Sequence, residues 1–378
     1  MDKVKKIRLK PKAVKILKVI GTVVLVCLFL LIIYFYNIGQ LKNLGYSDLA
    51  SRNILLKFKK KYVLSIGENK TLNAAFESSD YDEDNLDNYS KIKYQNQKHL
   101  IKNINLLIKK KYSNSNISMI LEHGNDNDVT AFTKRDKINY LEEFYSVSYA
   151  KLRNYDRYVS YSDESGEDEE TVVLAVNLDM DKEDYKDPVV IDKYDEKVLV
   201  NKHRQLSKNY KPNDLVKINS KYATDKKQVA ERVAVNAFIN MYNAASKDGY
   251  GLVINSSYRS YNDQMEICDQ YRQLYGDAYV SKYVALPGFS EHQTGLSFDI
   301  GSTNSKTFAS SKEYSWMQDN AYKYGFIQRF PKGYESVTGF RAEPWHYRYV
   351  GKKIAKYMHD EKITYEEYYA MFLDKSSN

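Results

Sequence analysis

Cysteine is almost absent from this 378-residue chain, which has two, Cys27 and Cys268. Cys27 lies inside an apolar run and Cys268 stands alone in the polar remainder. No intrachain disulfide can therefore staple the body, and no cysteine-based zinc site can be built. Any metal must be held by the six histidines and by carboxylates. Proline is missing altogether between residues 38 and 160, so nothing of that kind interrupts helices there. Excess positive charge is missing from most of the chain too. The formal net charge is +8, but Lys3, Lys5, Lys6, Arg8, Lys10, Lys12, Lys15 and Lys18 against Asp2 place +7 of it in residues 1–18. The near-neutral rest excludes a basic nucleic-acid-binding body. Tyrosine is abundant, with 36 residues, and supplies apolar area and a hydroxyl together, which suits both cores and wet clefts.

The basic arm precedes Val19 to Tyr36 (VIGTVVLVCLFLLIIYFY), an uncharged run near the short end of what spans a bilayer. Lys15 and Lys18 can snorkel, and Tyr34 and Tyr36 suit the interface. Basic residues crowd its N-terminal side, so the N-terminus is expected in the cytoplasm and everything after Asn37 outside. The run ends in YFY followed by NIGQLK, without the small residues of a signal-peptidase site, and Val26 before Cys27 makes a poor lipoprotein box. An uncleaved anchor is the expectation.

Residues 37–162 repeat apolar positions at helical spacing, as in Ile54, Leu55, Phe58 and Tyr62, or Leu100, Ile101, Ile104 and Ile108. A mostly helical spacer is expected. It carries a faint internal echo, in which Tyr46-Ser47, Ile54-Leu55, Phe76 and Tyr89 are matched by Tyr112-Ser113, Ile120-Leu121, Phe144 and Tyr155. Two degenerate repeats would produce it, and so would chance in a Tyr- and Asn-rich segment. An acidic stretch, DESGEDEE at 163–170, is expected to be a solvated linker, leaving 171–378 as the second folded part.

Beyond it, Thr171 to Leu178 (TVVLAVNL) suggests a strand. A helix is expected from a cap at Thr224 or Asp225, with Val229, Val233, Ala237, Met241 and Ala245 as its apolar stripe. Leu252 to Asn255 is a buried strand, and Ser260 with Asp263 opens another helix. Strands mixed with helices and no regular βαβ rhythm give an α+β domain.

Four segments carry chemistry: SSYRSYNDQ (256–264), GFSEHQTGLSFDIG (288–301), WMQDNAYKYGFIQRFP (316–331) and EPWHYRYVG (343–351). A hydrolytic zinc takes three protein ligands and keeps one open position, a demand that His292, Asp299 and His346 can meet. Gly295 breaks the chain after His292, and Leu296 to Ile300 then alternates, with Ser297 and Asp299 facing away from the core. Residues three apart in a regular strand point to opposite faces. Glu343 and His346 can share a site only if the strand proper starts after Pro344, leaving Glu343 over the metal as general base. On its own, the spacing between His292 and Asp299 is a weak signal. His99, His123, His203 and His359 lack such company and are expected at the surface.

In combination, SxHxxGxxxD followed by EPWHxRYVG resembles the VanY-type D-alanyl-D-alanine carboxypeptidases of the lysostaphin, D-Ala-D-Ala-peptidase and hedgehog metallopeptidase group. The resemblance runs from about Thr171 to Tyr357 and includes LVNKHRQLSKNYKPNDLV (199–216), SSYRSYNDQ and YGFIQRFP in order. It implies a small antiparallel sheet flanked by helices around a zinc cleft, with His292, Asp299 and His346 as ligands and Glu343 as base. It also implies that Arg259, Gln264 and Ser290 hold the C-terminal carboxylate of a peptidoglycan stem peptide ending in D-Ala. Two positions depart from the pattern. Ala342 stands where an aromatic is common and Ser297 where a small apolar residue is usual, and neither replaces a functional group.

The expectation is thus a membrane-anchored zinc carboxypeptidase with its catalytic domain outside the cell. D,D-enzymes acting on pentapeptides and L,D-enzymes acting on tetrapeptides both remove a terminal D-Ala, so these residues serve either reading. An endopeptidase of the same group would use the same ligands and base. A non-catalytic wall-binding module would be expected to lack one of them. Oligomeric state and physiological role are not encoded in these motifs.

Overall fold

The structure, a computed structural model, describes residues 11–135 and 138–374; the first ten residues of the expected basic arm lie outside them. The chain divides into two compact units. One ends at Glu142 and takes in Lys151–Arg153, and the other comprises Glu143–Ala150 and the chain from Asn154 onward.

The first unit opens with helix α1 (Pro11–Asn43), whose apolar side chains are exposed along the expected run. Among the described residues it is the one helix long and apolar enough to cross a membrane. Short helices follow from Asp48–Leu56 to Asp126–Phe132, as the helical spacing predicts. Side-chain caps define their starts. Ser47, Asn69, Ser113 and Asn125 each accept a backbone N–H two or three residues on. The echo has structural counterparts. Ser47 and Ser113 are both caps, and the hydroxyls of Tyr46 and Tyr112 donate to the carbonyls of Gly67 (2.9 Å) and Phe132 (2.7 Å), 21 and 20 residues ahead.

The second unit mixes helices with small sheets. Its central sheet has four antiparallel strands, β1 (Leu252–Ser256), β2 (Ser297–Ser302), β3 (Phe326–Phe330) and β4 (Glu343–Tyr349), in the order β1-β2-β4-β3. Leu296, Phe298 and Ile300 pack with Phe238 and Met241 of helix α3 (Arg232–Lys247) and with Trp316, Met317 and Phe326 into one core. A second core joins Ile327, Val350 and Met358 with Leu174 of helix α2 (Glu169–Asn177). Each fully buried side chain of this size contributes roughly 1.5–3 kcal/mol.

Several expectations are corrected here. Thr171 to Leu178 is not a strand but most of α2, capped by Asp168. Every residue from Val172 to Leu178 is buried, and an element apolar on all sides has no period by which to tell helix from strand. The acidic stretch is not a division between units. Ser165 ends one helix, Gly166 turns left-handed at φ 68°, and Asp168 starts the next. Helix α3 begins seven residues later than Asp225 because Val229–Glu231 pairs with Leu215–Lys217 instead. His203 is buried, in a turn beside Asp184 at 3.5 Å.

Candidate active site

Strand register brings the first two groups together. Asp299 on β2 and His346 on β4 are directly opposed in the antiparallel ladder, so their side chains leave the same face as neighbours. His292 enters from the single 3₁₀ turn Glu291–Thr294, capped by Ser290, immediately before β2. Gly295 ends that turn at φ 69°, where a Cβ would press on the Leu215 side chain at 3.1 Å, so glycine is required. The Arg259 N–H donates to the His292 carbonyl, tying the β1 end to the same turn.

Glu343 arrives by a different route from the one its sequence suggests. It lies within β4, paired with Phe330, and Pro344 follows it inside the strand. Between the pairs Gln328–Tyr347 and Phe330–Glu343, β4 carries extra residues opposite β3. That bulge breaks the strict alternation and returns Glu343 to the face of His346, with Oε2 3.8 Å from Nδ1.

The nitrogens of His292 can be told apart by their partners, while both nitrogens of His346 face carboxylates. His292 Nδ1 lies 2.6 Å from the Ser257 carbonyl, which only accepts, so Nδ1 carries the proton and Nε2 presents a lone pair 3.4 Å from Asp299 Oδ1. His346 turns Nδ1 toward Asp299 Oδ1 at 3.3 Å and Nε2 toward Glu291 Oε2 at 3.4 Å. One ligand atom from each of His292, Asp299 and His346 lies within 4.8 Å of the other two. His292 Nε2 and Asp299 Oδ1 are buried and make no hydrogen bond, a costly condition that a shared cation relieves. Two imidazoles and one carboxylate suit zinc in an open, three-ligand geometry, so the residues present fit such an ion.

The electrostatics is divided among these groups. Burial, then the charge of Arg259, push the His292 pKa down to about 4. Burial also opposes charge on His346, but Asp299 and Glu291 outweigh it and raise its pKa to about 9. Asp299 is held well below the carboxylate range, its burial overcome by His292 and His346. Burial pushes the Glu343 carboxyl up, with Asp299 adding to it against His346.

All seven expected residues line one cleft of about 230 Å³. Arg259 Nε faces no partner, and burial lowers the pKa of its guanidinium. Gln264 uses its amide donor on the Ala285 carbonyl at 2.7 Å, which leaves Oε1 as an unpaired acceptor. Ser290 Oγ accepts the His292 N–H at 3.4 Å and keeps its proton to donate. Sequence reasoning missed Glu291, Arg329, Arg348 and Glu366, which are buried behind the histidines and ion-paired to one another. The signal was Arg329 as the one charged residue of the strand Phe326–Phe330, since such a charge demands a buried counterpart. Ser297 also does more than shape a pocket, because its hydroxyl donates to Glu291 Oε2 at 3.3 Å.

The chain is similar to known proteins in sequence and in structure. The VanY family, described as D-alanyl-D-alanine carboxypeptidase, matches residues 226–352. YodJ of Bacillus subtilis (strain 168) is 45% identical over 179 residues, which are 45% of this chain and 66% of YodJ. A D-alanyl-D-alanine carboxypeptidase of Enterococcus faecalis is 36% identical over 138 residues, 34% of this chain and 51% of that protein. The chain thus spans two thirds or less of these relatives' lengths. The solved structure of the LdcB LD-carboxypeptidase is 41% identical over 50% of this chain and 92% of that one, with a TM-score of 0.45. Through the segment 226–352, with His292, Asp299, Glu343 and His346 gathered in its cleft, this chain belongs to the VanY-type carboxypeptidase family.

Proposed function

We propose that the second unit is a zinc-dependent carboxypeptidase that removes the C-terminal D-Ala of peptidoglycan stem peptides, anchored by α1 with the N-terminus in the cytoplasm. The observation that carries this reading is the set of three converging ligand atoms beside Glu343, in a cleft whose wall presents the unpaired Arg259. The names of the enterococcal relative and of the matched family supply D-Ala as the group removed. The basic residues before the apolar run of α1 support the orientation.

His292, Asp299 and His346 would hold the zinc, which would supply Lewis acidity toward water and the scissile carbonyl. Glu343 takes a proton from the attacking water and delivers it to the amine nitrogen as the C–N bond breaks, freeing D-alanine. Its raised pKa brings its proton affinity nearer to neutrality, which favours both transfers. Arg259 and the Ser290 hydroxyl hold the terminal carboxylate, a planar cation and a donor matched to an anion. Gln264 lies at the same end. With its donor engaged by Ala285, its Oε1 takes an N–H of the terminal residue.

Mass spectrometry of stem peptides incubated with the zinc-loaded protein tests this. Free-acid stems should lose one C-terminal alanine, and stems amidated at the C-terminus should not. Trimming of the pentapeptide marks a D,D-enzyme and trimming of the tetrapeptide an L,D-enzyme. Equal turnover of amidated stems removes the carboxylate clamp, and cleavage at an internal bond makes the protein an endopeptidase.

A further inference from the structure

Behind the two histidines lies a chain of buried charges that hydrolysis itself does not use. Glu291, Arg329, Arg348 and Glu366 are each 3% exposed or less, and their formal charges cancel. Arg329 donates from Nε to Glu291 Oε1 at 2.8 Å, and from its two terminal nitrogens to the Glu366 carboxylate at 2.8 and 2.6 Å. Arg348 Nη1 lies 3.3 Å from Glu291 Oε1. The second Glu291 oxygen receives the Ser297 hydroxyl and lies 3.4 Å from His346 Nε2. Glu366 belongs to the short helix Tyr365–Tyr368, whose start is fixed by a capping box between Thr364 and Glu367.

We infer that Glu291, clamped by Arg329 and Glu366, is a positioning residue that orients His346 for metal binding and makes the C-terminal helix part of the support of the metal centre. This rests on the metal reading above and extends it to residues outside the cleft chemistry. An imidazole that offers Nδ1 to a cation must carry its proton on Nε2, and a fixed carboxylate there sets both the tautomer and the ring angle. The two histidines use opposite nitrogens, so they need different supports. His292 has the Ser257 carbonyl at 2.6 Å, and His346 has the Glu291 carboxylate as an ion-pair neighbour, 3.4 Å from an Nε2 that makes no other hydrogen bond. A carboxylate left free to rotate could not serve. The bidentate grip of Glu366 on Arg329 fixes the guanidinium plane, which in turn fixes Glu291. Ser297, which departs from the family pattern, adds a further donor to the oxygen that faces His346.

The test compares zinc affinity, by competition with a chromogenic chelator, and the visible bands of the cobalt-substituted full-length protein. Glu291→Gln and Glu366→Gln should weaken zinc binding about 10–100-fold and shift the cobalt bands, by loss of support behind a ligating histidine. Met358→Ala, a packing variant in the second core, should lower thermal stability and leave both readouts at wild-type values. If Glu291→Gln does not fold, Ser297→Ala and Glu366→Gln carry the comparison. Wild-type affinity and an unchanged cobalt spectrum in folded Glu366→Gln and Ser297→Ala overturn the inference. The wild-type titration is read first, and a wild-type chain that takes up no zinc overturns the metal reading and this inference with it.

Discussion

Glu343, Asp299 and His346 stand within a few ångströms of one another, yet their surroundings assign them different work. Asp299 is held ionised by two imidazoles, while burial raises the proton affinity of Glu343. Replacing Glu343 with Gln should therefore lower kcat by about 10²–10⁴, the range of a lost general base, with about one zinc per chain retained. Metal analysis beside a turnover assay checks both, and full activity in that variant removes the base assignment. Asp299→Ala should instead lower zinc content together with activity. Arg259→Ala should raise KM about 10–100-fold for free-acid stems, as expected for a lost charge-assisted bond of 1.5–3 kcal/mol. The pairs His292 with Asp299 and Glu343 with His346 are each short in sequence, which made legible the four side chains that the structure gathers in one cleft. Glu291 could not be assigned its role, because its partner Arg329 lies 38 positions away, and Glu366, which grips Arg329, lies 37 further on.

At the scale of elements, the site depends on turns more than on strand length. The left-handed Gly295 lets the chain pass from the His292 turn into β2, and an alanine there costs about 1–2 kcal/mol for its backbone conformation alone. Thermal unfolding of Gly295→Ala should show a matching drop, and an unchanged midpoint would contradict this account of the turn. Ser260, with Asp263, forms the capping box of the helix Tyr261–Tyr275, which carries Gln264, and Ser260→Ala should cost about 0.5–2 kcal/mol. The Ser260 cap was legible because capping is written in adjacent residues. The start of α3 was not, because pairing of Val229–Glu231 with Leu215–Lys217 overrides the local helical pattern. The bulge in β4 was equally hidden. Pro344 signalled an irregularity there, but only the register with β3 shows which residues are extra.

For the molecule as a whole, the α+β class, the helical first unit and the apolar helix α1 follow from periodicity and composition. The division between units does not, because the acidic stretch is distinguished by charge and the contacts that define a unit are not. The second unit buries apolar cores built from side chains other than the proposed ligands. Chelation should therefore abolish turnover while far-UV circular dichroism stays unchanged, unlike small zinc domains that unfold without their ion. Restored zinc should restore turnover, and loss of secondary structure on chelation would show the metal to be structural. The most direct measurement is anomalous X-ray scattering at the zinc edge from crystals of the zinc-loaded protein. One peak in contact with His292 Nε2, Asp299 Oδ1 and His346 Nδ1, with Glu343 beside it, is the predicted result. A zinc bound elsewhere with those three side chains apart would contradict it.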